Sequence, residues 1–188
     1  PGVVSAQTLT QRPGIVVDPA FNLYVADSGA NRIVIFANTR DSAATSNAAA
    51  IVIGSDRFDS SINGTARNRL NGPSDVALDS AGRIYVADTS NSRVLIFPSL
   101  LFLPIADAAA SGVIGQGDFA SSAVNWNSQD GSATADALFA PGGIFMDRRD
   151  TLYVADAGNH RVAHFLKAAR IYHGAYPQAS ALGRGALA

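Results

Sequence analysis

The sequence predicts an all-β chain made of three tandem copies of one four-stranded unit. Three observations carry that expectation. Segments 14–36, 74–97 and 143–165 align without gaps. Each carries an Asp, a second Asp nine positions on, an Arg five later and a Phe four after that: Asp18, Asp27, Arg32 and Phe36; Asp79, Asp88, Arg93 and Phe97; Asp147, Asp156, Arg161 and Phe165. The runs between these markers are short, aromatic or β-branched, and separated by turn residues, as strands and tight turns require.

Each element can be placed in order. The first strand covers Ile15 to Asp18 and its equivalents, led in by Pro13, Pro73 or Pro141. Proline suits that place because it has no N–H to give to a ladder. After a turn such as Ser80-Ala81-Gly82 come the second strands, Leu23 to Ala26, Ile84 to Ala87 and Leu152 to Ala155. A polar turn opening on Asp follows, and the third strand runs from the Arg to the Phe with alternating side chains. Twenty-two positions after each Arg stands a glycine, Gly54, Gly115 or Gly183, behind an aliphatic residue. The fourth strands are therefore expected at Ile51 to Ile53, Val113 to Ile114 and, more weakly, near Ala181-Leu182. The alanine-rich stretches 43–50 and 106–110 leave room for one helical turn at most. Through this register the first two copies are offset by 61 residues and the next two by 68. The repeats divide the chain at 1–58, 59–119 and 120–188. Four-stranded units in tandem are the pattern of a β-propeller, in which stacking covers the sheet faces that a lone blade leaves bare. Ala26, Ala87 and Ala155 are small enough for close approach between blades.

Composition narrows the function. With 47% hydrophobic and 15% charged residues, the chain is globular and not disordered. A net charge of −1 gives no basic field to hold nucleic acid or an anionic membrane. No cysteine is present, which excludes disulfides, thiolate metal sites and cysteine nucleophiles. The absence of cysteine fits a secreted or periplasmic bacterial protein, so the expected location is extracellular or periplasmic. The run Leu100 to Ala106 is too short to cross a bilayer and is broken by Pro104. No signal peptide is visible, and the chain opens on Pro1, as a processed or truncated product would.

The string Tyr-Val-Ala-Asp-x-x-x-x-Arg, followed by a hydrophobic strand and Phe, resembles the NHL repeat. The lead-in Pro agrees, as does Ile-Gly-Gln-Gly-Asp-Phe at 114–119. The resemblance implies a β-propeller, here with unusually long loops. It also expects an Asn three after the turn Asp. Asn91 and Asn159 meet that, whereas position 30 is Ala and Asn31 comes one place later. Members of the family usually close with five or six blades. Three blades imply either half of a six-bladed ring completed by a second copy, or a fragment of a larger propeller.

The candidate residues follow. Asp27, Asp88 and Asp156 with Arg32, Arg93 and Arg161 are expected to serve the blade: carboxylates accepting N–H bonds in their own turns and pairing with the arginines. Asp18, Asp79 and Asp147 end the innermost strands. They could hold Ca2+ at a channel mouth, although turn capping explains them more simply. His160, His164 and His173 come from one unit, and a zinc enzyme would need histidines from several blades. No Gly-x-Ser-x-Gly, phosphate-binding or dinucleotide motif is present. The segment 120–140 holds the only tryptophan, Trp126, between Asn125 and Asn127. A tryptophan between amides on a loop suits sugar stacking or a protein contact. With Asn31, Asn91, Asn159 and His160 these form the candidate ligand-binding set. The expected function is a non-enzymatic scaffold that binds protein or carbohydrate through its loops, or self-assembles to complete a ring. No cofactor is expected apart from a Ca2+ ion. The alternative is a metal-dependent hydrolase or lyase, of the lactonase or amidating-lyase kind, whose site other blades complete.

Overall fold

The structure, a computed structural model, describes residues 4–10, 14–40, 48–166 and 184–187. Its strands form three antiparallel four-stranded sheets, each a meander in chain order. The first holds β1 (Ile15–Val17), β2 (Leu23–Asp27), β3 (Arg32–Phe36) and β4 (Ile51–Ile53). The second holds β5 (Pro73–Leu78), β6 (Ile84–Asp88), β7 (Arg93–Phe97) and β8 (Gly112–Ile114). The third holds β9 (Pro141–Met146), β10 (Leu152–Asp156), β11 (Arg161–Phe165) and β12 (Arg184–Leu187). These are the three propeller-type blades that the repeat implies.

Register is the same in the first two blades. Ile33 pairs Ile53, and Val94 pairs Ile114. The lead-in prolines Pro73 and Pro141 sit opposite Asp88 and Asp156, and a register shift follows before the ladder resumes. Such a shift bends the strand where it starts.

The third blade departs from expectation. Ala181-Leu182 lie outside the described residues, and the fourth strand stands instead at Arg184–Leu187, where Val162 pairs Leu187. The physical reason is in the sequence. Ala-Leu occurs at both 181–182 and 186–187, around Gly183 and Gly185, so the hydrophobic pattern does not distinguish the two registers. No α-helix occurs among the described residues. Stretch 106–110 forms no helical turn: Asp107 has a φ of 62°, and Ala108 bridges Ile53 in parallel.

Side-chain alternation gives every blade two apolar faces. One face of the first blade (Tyr24, Ala26, Ile33, Ile35 and Ile53) packs on the opposite face of the second (Val76, Ile84, Val86, Leu95 and Phe97). The second blade then repeats the move. Its Ala77, Tyr85, Ala87, Val94, Ile96 and Ile114 pack on Ile144, Leu152, Val154, Ala163 and Phe165 of the third. We call the first kind of face trailing and the second leading. The strands β1, β5 and β9 lie against one another in sequence, so the first strands line the inner edge of the stack.

Glycines fix the joint between units. Gly54 and Gly115 have φ of 87° and 90°, a region that L side chains rarely adopt. A Cβ there would stand 2.7 Å from Leu70 Cδ1 and 2.8 Å from Leu138 Cδ1. Each glycine therefore seats a buried leucine from the lead-in of the following blade.

Ala87 is fully buried in the middle of such a joint. Ala87→Leu is expected to cost about 1–3 kcal/mol through overpacking, read as a lower urea midpoint. Leu101, 84% exposed, should accept alanine with a change of about 0.5 kcal/mol or less.

Candidate functional site

The recurring Asp and Arg form one brace per blade. Asp27 closes β2 and Arg32 opens β3, so the hairpin register puts them side by side. Arg32 Nε donates to Asp27 Oδ2 at 2.9 Å, Arg93 Nε to Asp88 Oδ2 at 2.7 Å, and Arg161 Nε to Asp156 Oδ2 at 2.7 Å. The first two pairs are completely buried, and Arg161 is slightly exposed.

The second carboxylate oxygen of each Asp binds the lead-in segment 17 residues earlier, and not its own turn. It accepts the N–H of Thr10 at 2.8 Å, of Asn71 at 2.6 Å and of Phe139 at 2.7 Å. The guanidinium reaches the same segment. Arg32 Nη2 donates to the carbonyls of Ser5 and Thr8, Arg93 to those of Thr65 and Arg69, and Arg161 to those of Thr134 and Ala137. Arg32 and Arg93 also donate to the carbonyls of Phe58 and Phe119, beyond the fourth strands. Burial pushes the Asp88 carboxyl up, while the Arg93 charge, the Asn71 N–H and the Asn91 amide push it back.

Asp18, Asp79 and Asp147 lie at the opposite end of the strands. Each accepts two N–H bonds from its own turn: Ala20 and Asn22, Ala81 and Arg83, Arg149 and Thr151. Tyr24 and Tyr85 donate their phenols to Asp18 and Asp79. Burial, reinforced by the adjacent carboxylate, holds both phenols far above their ordinary value, so they stay protonated donors. No group of three metal-ligating side chains occurs among the described residues.

The candidate amides divide sharply. Asn91 is buried and donates to Asp88 Oδ2 and to the Gly64 carbonyl. Asn159 makes the same bond to Asp156 Oδ2 and exchanges amide bonds with buried Asn125, at 2.8 and 2.9 Å. In the first blade Ala30 cannot bond the aspartate. Asn31 instead donates to the Ser61 carbonyl and accepts the Gly72 N–H, both at 2.8 Å, reaching the next blade's lead-in. These four side chains are therefore occupied within the protein.

Trp126, Asn127 and His160 lie nearer the solvent. Trp126 is half-buried: its indole lies over Gly117, where a Cβ would meet Trp126 Cζ2 at 2.2 Å. Asn127 and His160 are exposed, both at positive φ. The Asn125–Asn159 pair holds their chain neighbours Trp126 and His160 on one stretch of surface, at the joint of the second and third blades. His164 does not join them. It sits on β11 with its ring 6.2 Å from Tyr153. His173 lies outside the described residues.

Residues that carry no sequence motif tie the joints. Ser28 donates to the Pro73 carbonyl, and Thr89 to the Pro141 carbonyl at 2.7 Å. Asp75 Oδ2 accepts the Ile144 N–H at 2.8 Å across the inner edge. Only the sequence offset from the aspartate, one residue in each case, could have marked Ser28 and Thr89.

Arg93→Ala leaves a buried carboxylate without its cation and is expected to cost about 3–5 kcal/mol. Arg57→Ala removes a pair whose side chains are 65% and 72% exposed, and should cost under about 1 kcal/mol. Chemical denaturation separates the two. The Asp147 carboxyl is held below its ordinary value by the Thr151 N–H. A depressed folded value contributes stability above the unfolded value of about 4, lost as pH falls through the folded one. Thermal midpoints of Asp147→Asn should thus fall less steeply on acidification below about pH 4 than those of the native chain.

Comparison with known proteins agrees with this geometry. The NHL repeat family matches residues 70–97 and 140–165. No curated protein matches the sequence. Among solved structures, a Bacteroides thetaiotaomicron protein provisionally assigned as a phosphatase aligns with a TM-score of 0.58 at 12% identity, over 81% of this chain and 34% of its own. An auxiliary nutrient binding protein from Bacteroides ovatus aligns at 0.53 and 19%, over 82% and 37%. The virginiamycin B lyase of Staphylococcus aureus aligns at 0.49 and 15%, over 93% and 45%. The chain thus spans less than half the length of these proteins, and at such identities the likeness is one of fold. With the three-blade geometry above, residues 70–97 and 140–165 carry the NHL repeat, and the fold is of β-propeller type.

Proposed function

We propose that the chain is a non-enzymatic binding scaffold, working outside the cytoplasm, that takes a carbohydrate or protein ligand at the loop joint around Trp126. The observation that carries this is the half-buried indole of Trp126, seated on Gly117 in a loop whose sequence no other blade repeats. The aspartates and arginines that recur in all three blades are engaged in bracing their own units. Trp126, Asn127 and His160 recur in none, and they flank the Asn125–Asn159 pair in the chain. A half-buried indole offers a rigid apolar face at small entropic cost, and the neighbouring amide and imidazole offer directional bonds. The seat on Gly117 and the Asn125–Asn159 pair hold that face in place before any ligand arrives. The cysteine-free sequence supports an oxidising location, and no helix among the described residues is long and apolar enough to cross a membrane.

Because Trp126 is the only tryptophan, its fluorescence reports on this joint alone. Titration with a panel of defined oligosaccharides and peptides is expected to give a saturable change for one class. Trp126→Ala should weaken that ligand at least about tenfold, or ~1.4 kcal/mol, with an unchanged circular dichroism spectrum. A variant that binds as well as the native chain overturns the placement. Stoichiometric bound metal, with hydrolytic or lyase activity abolished by a chelator, replaces the scaffold reading with the metal-dependent one.

A further inference from the structure

We infer that Phe139 is a second aromatic platform at the Trp126 joint, and that the two together take a neutral oligosaccharide of two or more sugar rings. This rests on the Trp126 reading and names its ligand class. Phe139 follows buried Leu138, at the position that Thr10 fills in the first blade and Asn71 in the second. All three donate their N–H to the aspartate of their own brace, so the backbone here is held alike in every blade. Only the third blade carries an aromatic there, and it is 36% exposed. Gly158 makes room for it. A Cβ at Gly158 would stand 2.4 Å from Phe139 Cγ, and the second blade has Ser90 in that place. The Gly158 N–H bonds the Phe139 carbonyl at 2.9 Å, as the Ser90 N–H bonds that of Asn71 at 3.1 Å. Trp126 is mounted in the same manner, its indole pressed on the backbone of Gly117.

Main-chain bonds bring the two aromatics to one joint. The Asn125 N–H donates to the Leu138 carbonyl at 3.2 Å. Trp126 and Phe139 each stand one Cα step, about 3.8 Å, beyond a member of that bond. The Asn125 and Asn159 amides clasp each other, and Asn159 adjoins Gly158. Gln116 pins the start of the loop, its amide donating to the Ser92 and Ala123 carbonyls at 3.0 and 2.7 Å. Both rings therefore sit on backbone that is tied before a ligand arrives. The surroundings select the ligand. The face of an aromatic ring is electron-rich and suits the C–H groups along one side of a sugar ring, whose hydroxyls then need donors and acceptors at the edge. Exposed Asn127 and His160 supply these, next in the chain to Trp126 and Asn159. Segments 115–140 and 156–160 contain no Lys or Arg but hold Asp118, Asp130, Asp136 and Asp156. The next cation, Arg161, is committed to Asp156 and two carbonyls. A phosphate, sulfate or uronate would thus meet carboxylates and no available guanidinium, whereas a neutral sugar has no such charge to match.

Calorimetric titration of the 188-residue chain tests this. The probes are glucose, mannose and xylose, their neutral tetrasaccharides, tetragalacturonate, and a mixture of random hexapeptides. One neutral tetrasaccharide is expected to bind at least about tenfold more tightly than its own monosaccharide, and tetragalacturonate not at all. Phe139→Asn, which sets the second blade's residue at this position, should bring that ratio down to about one with a native circular dichroism spectrum. Gly158→Ser, which places a Cβ under the ring, should do the same, and Phe139→Tyr should keep the native ratio. An unchanged ratio in Phe139→Asn and Gly158→Ser, with Trp126→Ala still weakened, overturns the second platform and leaves the Trp126 site standing. Tighter binding of tetragalacturonate or of the peptides overturns the ligand class, again without touching that site. No heat with any probe overturns this inference and the Trp126 site together.

Discussion

The buried pair of a carboxylate and a guanidinium at the β2–β3 end of each blade is the interaction on which the other features hang. Two charges removed from water are costly unless every donor and acceptor is used. Here they are. The arginine supplies a planar fork with its charge always present, and its remaining N–H groups find main-chain carbonyls. Those carbonyls belong to segments outside the named strands. The brace therefore turns a long lead-in into a fixed wall, and the loop carrying Trp126 is one of these walls.

Bracing and joining are done by different chemistry. Within a unit the bonds are charged and buried. Between units the sheet faces meet through apolar side chains, and hydroxyl, amide and carboxylate links from Ser28, Thr89, Asn31 and Asp75 to the next blade add to them. The third blade has Ala157 where the first two carry the linking hydroxyl, and His160 where the first carries the linking asparagine.

Much of this was legible in the sequence. The Asp–Arg spacing of five fixes a hairpin with its charges opposed, and three copies in register make chance a poor explanation. The fourth strands of the first two blades were legible because Ile51–Ile53 and Val113–Ile114 are apolar runs ending at a glycine. The third was not, because two Ala-Leu pairs flanked by glycine offer two registers with the same hydrophobic pattern. The arginine partners of Asp27, Asp88 and Asp156 were legible, but their N–H partners were not. A turn aspartate ordinarily caps its own turn, as Asp18, Asp79 and Asp147 do. Nothing local announces that an N–H 17 residues earlier will take that place. The amide set looked uniform, but burial separates Asn91, Asn125 and Asn159 from Asn127, and burial is a property of the packed chain.

The reach of the arginine also bears on how the protein emerges from the ribosome. Arg32 is satisfied by carbonyls from Ser5 to Phe58, and Arg93 by carbonyls from Thr65 to Phe119. Each buried charge thus finds its partners inside its own repeat. A blade can neutralise its interior as soon as its last residues are made, without waiting for the next. Vectorial synthesis then lays down finished units one at a time. Only the apolar faces between them stay provisional until a neighbour arrives.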